Sequence, residues 1–386
     1  MTETPAVVAD ATRPVGGGGK KRILALDGGG VRGIVTVAFL ERMEAALRAK
    51  TGNANLTLGR HFDLIGGTSV GSILATMLAL DWPMQKVAST FKAWAPEIFK
   101  QRIGLGIFSA KFKADVLEDK LKQTLGDMRL EDPRLITRLA IVTKRLDTGS
   151  PWWIVGNIPT SPFWRGGDPD RQNATFRVAD LIRASTAAPT VFDPKRLPIG
   201  PSQPYGLFVD GAVSPFNNPA LALIMTARLK GHGLAWPLGA DNLQMVSVGT
   251  GSWREPVHYG FWQRHIAAQL GVQSLLGMMR DSQALSLTLL QWMSEPRVSH
   301  RINSEIGDLS GEVLGPGPGP HAPLFQFQRY DLDLEADKLV SLMGGKPPSA
   351  WKMSRLRSLD NPAQLGTLYH LASKVAETQV DAVDFS

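Results

Sequence analysis

At 386 residues, 43% hydrophobic and 20% charged, the chain is long enough for a large core and too apolar for disorder over most of its length. It has no cysteine, which excludes a disulfide framework, thiolate chemistry and a Cys-based zinc site. Its net charge of +7 favours anionic surfaces such as phospholipid headgroups or nucleic acid, yet no Lys/Arg run is long enough to mark a nucleic-acid module.

Residues 1–20 read as a flexible tail ending in Gly16-Gly-Gly-Gly-Lys20. They contain no apolar segment of the kind a signal peptide needs. They are not a P-loop either, because Pro14 and Lys21 stand where that motif requires Gly and Ser/Thr. Arg22–Leu26 has the pattern of a buried strand. A glycine turn follows at Asp27–Gly30, and Ile34, Val37, Ala38, Leu40, Ala45 and Leu47 then recur at helical spacing over 33–49. A second strand–turn–helix runs through His61–Ile65, the glycines at 66–71 and Ser72–Leu80. Leu135–Thr143 and Trp152–Val155 read as strands joined by a turn at Asp147–Ser150. Leu207–Val209 is a strand ending in Asp210-Gly211, and Leu243–Val248 is one ending in Gly249-Thr-Gly251. Strands alternating with helices predict a largely parallel α/β sheet. From about residue 261 the character changes. Residues 264–294 read as a long Met- and Leu-rich helix whose Met stripe packs into the core. Gly315–Pro320 excludes helix and central strand, and 335–343 and 361–379 read as helical again. No stretch approaches 18 continuous apolar residues, so the expectation is a cytoplasmic protein able to touch a membrane.

Gly67, Ser69 and Gly71 fit Gly-x-Ser-x-Gly, with Val70 after the Ser. Between a strand and a helix this is the pattern of a nucleophile elbow, in which a tight turn lifts a hydroxyl clear of the backbone. The plainer reading is a glycine turn with a helix-capping Ser.

Gly28-x-Gly30-x-x-Gly33 is formally a dinucleotide fingerprint. That motif also asks for an acidic residue about 20 positions on, to hold the ribose, and residues 48–58 contain no Asp or Glu. Asp27, directly before the glycines, would repel a pyrophosphate. The alternative is an oxyanion hole, in which the amides of Gly28, Gly29 and Gly30 point into one small space beside a helix N-terminus. Arg32 would fix that loop, meet a phosphate, or form a surface ion pair.

A Ser nucleophile needs a proton acceptor. Among the seven His, those following Asp210 that suit a triad are His232, His258, His265 and His300. None lies in a recognisable loop context. Asp210 closes a strand, and at that end open α/β sheets place their ligand crevice. Burial there would raise its pKa towards the range of a useful base.

Four segments in order, Asp27-Gly-Gly-Gly-Val-Arg-Gly33, Gly67-Thr-Ser-Val-Gly71, Ala184-Ser-Thr-Ala-Ala-Pro-Thr190 and Asp210-Gly-Ala212, make the chain resemble the patatin-like phospholipases. The resemblance covers roughly residues 21–255, with Ser247–Gly251 as a further strand-end match. It implies a three-layer αβα sandwich with a mainly parallel central sheet. A catalytic domain at 21–260 would carry a mostly helical extension at 261–386. It further implies a Ser69–Asp210 dyad without catalytic His, a Gly28–Gly30 oxyanion hole, and no metal or cofactor. Val70 is a mild departure at a position that points away from the chemistry.

The implied activity is hydrolysis of phospholipid acyl esters at a peripheral membrane surface. Two alternatives remain: a cyclic-nucleotide-activated phospholipase effector of anti-phage defence, and a Rossmann-type nucleotide binder. Pro151-Trp152-Trp153 and Pro162-Phe163-Trp164-Arg165 are candidate membrane-touching loops, with core packing as the competing expectation for their Trp residues.

Overall fold

The structure, a computed structural model, describes residues 19–100, 114–166, 172–189, 191–254, 267–303, 305, 307–308 and 322–385. Most of the expected tail, the Gly315–Pro320 segment, His258 and His265 lie outside them. The strands are β1 (Lys21–Leu26), β2 (Leu64–Thr68), β3 (Arg138–Arg145), β4 (Pro151–Val155), β5 (Lys195–Leu197), β6 (Gly206–Asp210), β7 (Leu243–Val248), β8 (Glu295–Pro296) and β9 (Gln326–Tyr330). The α-helices are α1 (Gly33–Thr51), α2 (Leu58–His61), α3 (Val70–Ala79), α4 (Met84–Ile98), α5 (Ala114–Leu125), α6 (Val178–Ser185), α7 (Ala220–Arg228), α8 (Ala267–Trp292), α9 (Ala350–Arg357) and α10 (Leu365–Gln379).

One sheet organises the molecule, in the order β5-β6-β3-β2-β1-β7-β9-β8, with β4 paired to β3. The run β3-β2-β1-β7-β9-β8 is parallel throughout. Alternation along its strands feeds two cores. Leu24, Leu26, Val246 and Val248 face one side with residues of α1, α3, α4, α6 and α10. Ile23, Ala25, Leu243 and Met245 face the other with residues of α7 and α8. Helices on both faces are what a parallel sheet of such apolar strands requires. Among the described residues, no helix is long and apolar enough to cross a membrane.

Three features differ from the sequence expectations. First, β6 is antiparallel to β3. Because β4 occupies one edge of β3 from Ala140 to Lys144, β2 and β6 must share the other. There β2 ends with Thr68 opposite Val142, and β6 ends with Asp210 opposite Thr143. The two strands meet head-on at their C-terminal ends. Second, the region expected to be a helical extension supplies β9, which pairs with β7 inside the main sheet. Third, 335–343 is a run of turns. Its backbone bonds mix three- and four-residue spacing, Val340 to Asp337 and Leu339 to Glu335, and Gly344 and Gly345, both at positive φ, stop it.

Candidate active site

The parallel strands deliver their C-terminal ends to one edge: Leu26, Gly67, Val248 and Tyr330 lie in adjacent register. The loops that follow β1, β2 and β7 therefore converge there, and β6 brings Asp210 to Ser69 from the opposite direction. Ser69 leaves β2 with φ 53° and begins α3 as its N-cap, a conformation costly for a residue with a Cβ. Close packing holds it in place. A methyl on Gly67 would run into the Gly71 backbone, and one on Gly71 into the Leu26 carbonyl. The Ser69 amide donates to Ser185 Oγ at 2.8 Å, and that hydroxyl donates to the Val142 carbonyl at 2.6 Å. The α6 helix end thus fixes the elbow to β3. Val70 turns into the core and is 5% exposed.

Ser69 Oγ donates to Asp210 Oδ2 at 2.6 Å. Asp210 Oδ1 accepts the Ala212 amide at 2.8 Å, and its own amide donates to the Ala187 carbonyl at 3.0 Å. Burial pushes this carboxyl up to about 7, against the opposing pull of the Ser69 and Ala212 hydrogen bonds. Among the described residues, no imidazole is hydrogen-bonded to Ser69 or Asp210. His232 stacks 6.0 Å from Trp153 and lies 5.7 Å from Phe163. His300 exchanges backbone hydrogen bonds with the Gln291 side chain.

The glycine loop offers fewer open amides than expected. The Gly28 amide donates to the Asn217 carbonyl at 3.1 Å, so it is committed elsewhere, a correction to the expected set. The Gly29 and Gly30 amides have no protein partner among the described residues. Gly30, at φ +57°, sits where a side chain would strike the Leu359 carbonyl, and that carbonyl accepts the Val31 amide at 2.8 Å. The Leu359 carbonyl thus packs directly on the loop at Gly30 and Val31. Arg32 packs against the neighbouring turn. It donates to the Gly251 carbonyl at 2.8 Å and stacks on Trp253 at 4.6 Å, which makes it a brace of the loop. Burial lowers its pKa to about 10.

Five further residues complete the site and went unassigned in the sequence. Ser185 lies inside a matching segment but had no visible role. Asn217 and Gln283 reach the loop from neighbouring elements, with Gln283 Nε2 donating to Asp27 Oδ2 at 3.2 Å. Arg329 and Asp331 belong to β9 and its end. The alternation Phe325-Gln-Phe-Gln328 is the strand signal that would have exposed them. The Trp expectation resolves towards packing. Trp164 is 8% exposed in the main core, and Trp153 packs 5.1 Å from Phe216.

The profile of a family described as patatin-like phospholipase matches residues 24–224. Patatin group D-3 of Solanum tuberosum is 29% identical over 250 residues, covering 60% of this chain and 61% of its own length. A cUMP-AMP-activated phospholipase of Escherichia coli is 28% identical over 235 residues, covering 61% and 66%. The human GIVD cytosolic phospholipase A2 aligns over 93% of this chain and 59% of its own at 13% identity, with a TM-score of 0.42. The chain spans less than two thirds of the length of these curated relatives.

Proposed function

The chain belongs to the patatin-like phospholipase family, and from that premise we propose that it is a lipid acyl hydrolase acting on phospholipid esters through Ser69 and Asp210. The observation that carries the proposal is the 2.6 Å hydrogen bond from Ser69 Oγ to a buried carboxylate whose pKa stands near 7. A base of that strength is matched to neutral pH. Asp210 takes the Ser69 proton as Oγ attacks the acyl carbonyl. The Gly29 and Gly30 amides receive the oxyanion, at the edge where the α3 dipole adds positive potential. The alcohol or lysophospholipid leaves with the proton from Asp210. Water, deprotonated by the same carboxylate, then attacks the acyl-enzyme and restores Ser69.

The test is free fatty acid release from mixed phospholipid vesicles in the presence of a chelator, with wild type, Ser69→Ala and Asp210→Asn. The expected result is release by wild type and a loss on the order of 10³-fold or more in each variant. Release surviving in Asp210→Asn would sink the dyad. The similarity to a cUMP-AMP-activated phospholipase of Escherichia coli supports a second reading, in which a cyclic nucleotide gates the same chemistry. A wild type that is silent until a cyclic nucleotide is added would favour it, and full activity without additives would discard it.

A further inference from the structure

Under the glycine loop lies a buried ionic cluster that the chemistry above does not use. Arg329 is 5% exposed, Asp27 1% and Asp331 6%. Arg329 Nη1 and Nη2 grip Asp27 Oδ1 and Oδ2 at 3.0 and 2.7 Å. Nη2 also donates to Asp331 Oδ2 at 2.8 Å and Nη1 to Ser247 Oγ at 2.7 Å. The sheet explains how Arg329 reaches so far. Ala25, Ser247 and Arg329 sit side by side on β1, β7 and β9, on one face, and the two small residues leave a lane for the guanidinium to cross β7. Asp27, two residues beyond Ala25, meets it at the far end.

Both carboxylates carry the grip onward to backbone. Asp27 is the residue immediately before the glycines. Asp331 Oδ1 accepts the Gly251 amide at 2.8 Å, and a methyl on Gly249 would collide with its carboxylate. The Gly249–Gly251 turn is tied in turn to the loop, because Thr250 Oγ1 donates to the Gly28 carbonyl at 2.9 Å and Arg32 holds the Gly251 carbonyl. Arg329 thus hydrogen-bonds to both carboxylates that support the loop. Replacing a planar, two-pronged donor by a point charge at such a site is not conservative.

We propose that Arg329 is a positioning residue of the acyl-transfer site, a clamp that sets the Gly29 and Gly30 amides for the oxyanion by fixing Asp27 on one side and the Gly249–Gly251 turn on the other. The inference rests on the hydrolase reading and deepens it: a strand from the C-terminal third of the chain tunes the oxyanion site without touching substrate.

The experiment compares full-length wild type, Arg329→Lys and Arg329→Met. Three readouts are taken: steady-state hydrolysis of the water-soluble ester p-nitrophenyl butyrate, inhibition by an alkyl trifluoromethyl ketone, and amide hydrogen exchange in peptides spanning 27–33 and 247–252. The ketone forms a charged tetrahedral adduct on a Ser and so reports on the oxyanion donors. For Arg329→Lys the expected result is a melting curve in the native range, KM within about 2-fold and kcat lower by about 10–100-fold. Ketone affinity should fall by the same factor, and exchange should be faster in both peptides. Arg329→Met should lose more than Arg329→Lys. If Arg329→Lys keeps wild-type kcat and ketone affinity, or if its loss follows only the fraction unfolded, the proposal is overturned while the hydrolase reading stands. If wild type hydrolyses no ester either without additives or with a cyclic nucleotide, the hydrolase reading fails and the catalytic meaning of the clamp fails with it. Unchanged exchange in the loop peptides would refute the clamp whatever the activity.

Discussion

Asp210 accepts one side-chain and one backbone hydrogen bond, too few to offset its removal from water, so its proton stays on up to about pH 7. This has two consequences of opposite sign. As a base it must be ionised, so kcat/KM for a soluble ester should be flat above pH 7 and fall about tenfold per unit below it. An acid limb near pH 4 in a pH–rate profile would contradict the burial argument. For stability, a carboxyl whose folded pKa lies above its unfolded value favours folding fully below the unfolded value, and that contribution is lost as pH rises through the folded pKa. At pH 8 the native state therefore holds an unfavourable buried charge. Asp210→Asn should abolish hydrolysis yet be more stable than wild type at pH 8, by on the order of 1 kcal/mol or more, with the advantage shrinking towards pH 5. Melting curves at the two pH values check it. The identity of these two residues was legible from sequence because each sits in a short local motif. The raised pKa was legible only as an expectation, since burial depends on what packs above the strand end.

The head-on meeting of β2 and β6 along one edge of β3 does at the level of elements what no local motif can do. It brings together residues 141 positions apart by ending two opposed strands on adjacent partners, Val142 and Thr143. The sequence pattern marked β6 at Leu207–Val209 but set the other strand at His61–Ile65, of which only Leu64 and Ile65 lie in β2, and it carries no information on direction, so β6 reads as easily parallel as antiparallel. Ser185 belongs to the same junction. Ser185→Ala removes the acceptor of the Ser69 amide and should cost about 1–3 kcal/mol in stability. It should also lower kcat more than KM, because the elbow loses its tie to β3. A variant with wild-type kcat would show that the strained Ser69 conformation needs no such tie. The Trp residues beside the junction answer to packing. Trp164→Ala should cost about 3–5 kcal/mol and lower vesicle and soluble-ester hydrolysis together. Selective loss of vesicle binding would restore them as membrane contacts.

Over the whole molecule, the boundary read near residue 260 does not divide the sheet. β9 lies beside β7, Tyr330 and Leu332 sit in the main core with Leu371 and Ala376 of α10, and Leu359 caps the glycine loop. A chain truncated before Gln326 should therefore lose its cooperative unfolding transition and all ester hydrolysis. A truncated protein that melts cooperatively and hydrolyses esters would make residues 261–386 a true extension. The shift to a Met- and Leu-rich helix at 264–294 is met by α8, but Met278 is 65% exposed and Leu285 59%, so the expected packing of the Met stripe into the core does not hold along this helix. What the shift concealed was a five-residue strand, Gln326–Tyr330, whose Phe–Gln alternation is short and whose partner lies some 80 residues earlier.

The position of β9 near the end of the chain also bears on the order in which the protein is made. Residues 69 and 210 are both added to the chain before residue 329. Here the carboxylate before the glycines stays without its cation until residue 329 has been added and β9 has docked on β7. A chain that already holds Ser69 and Asp210 thus still lacks the side chain that grips Asp27 in the folded protein.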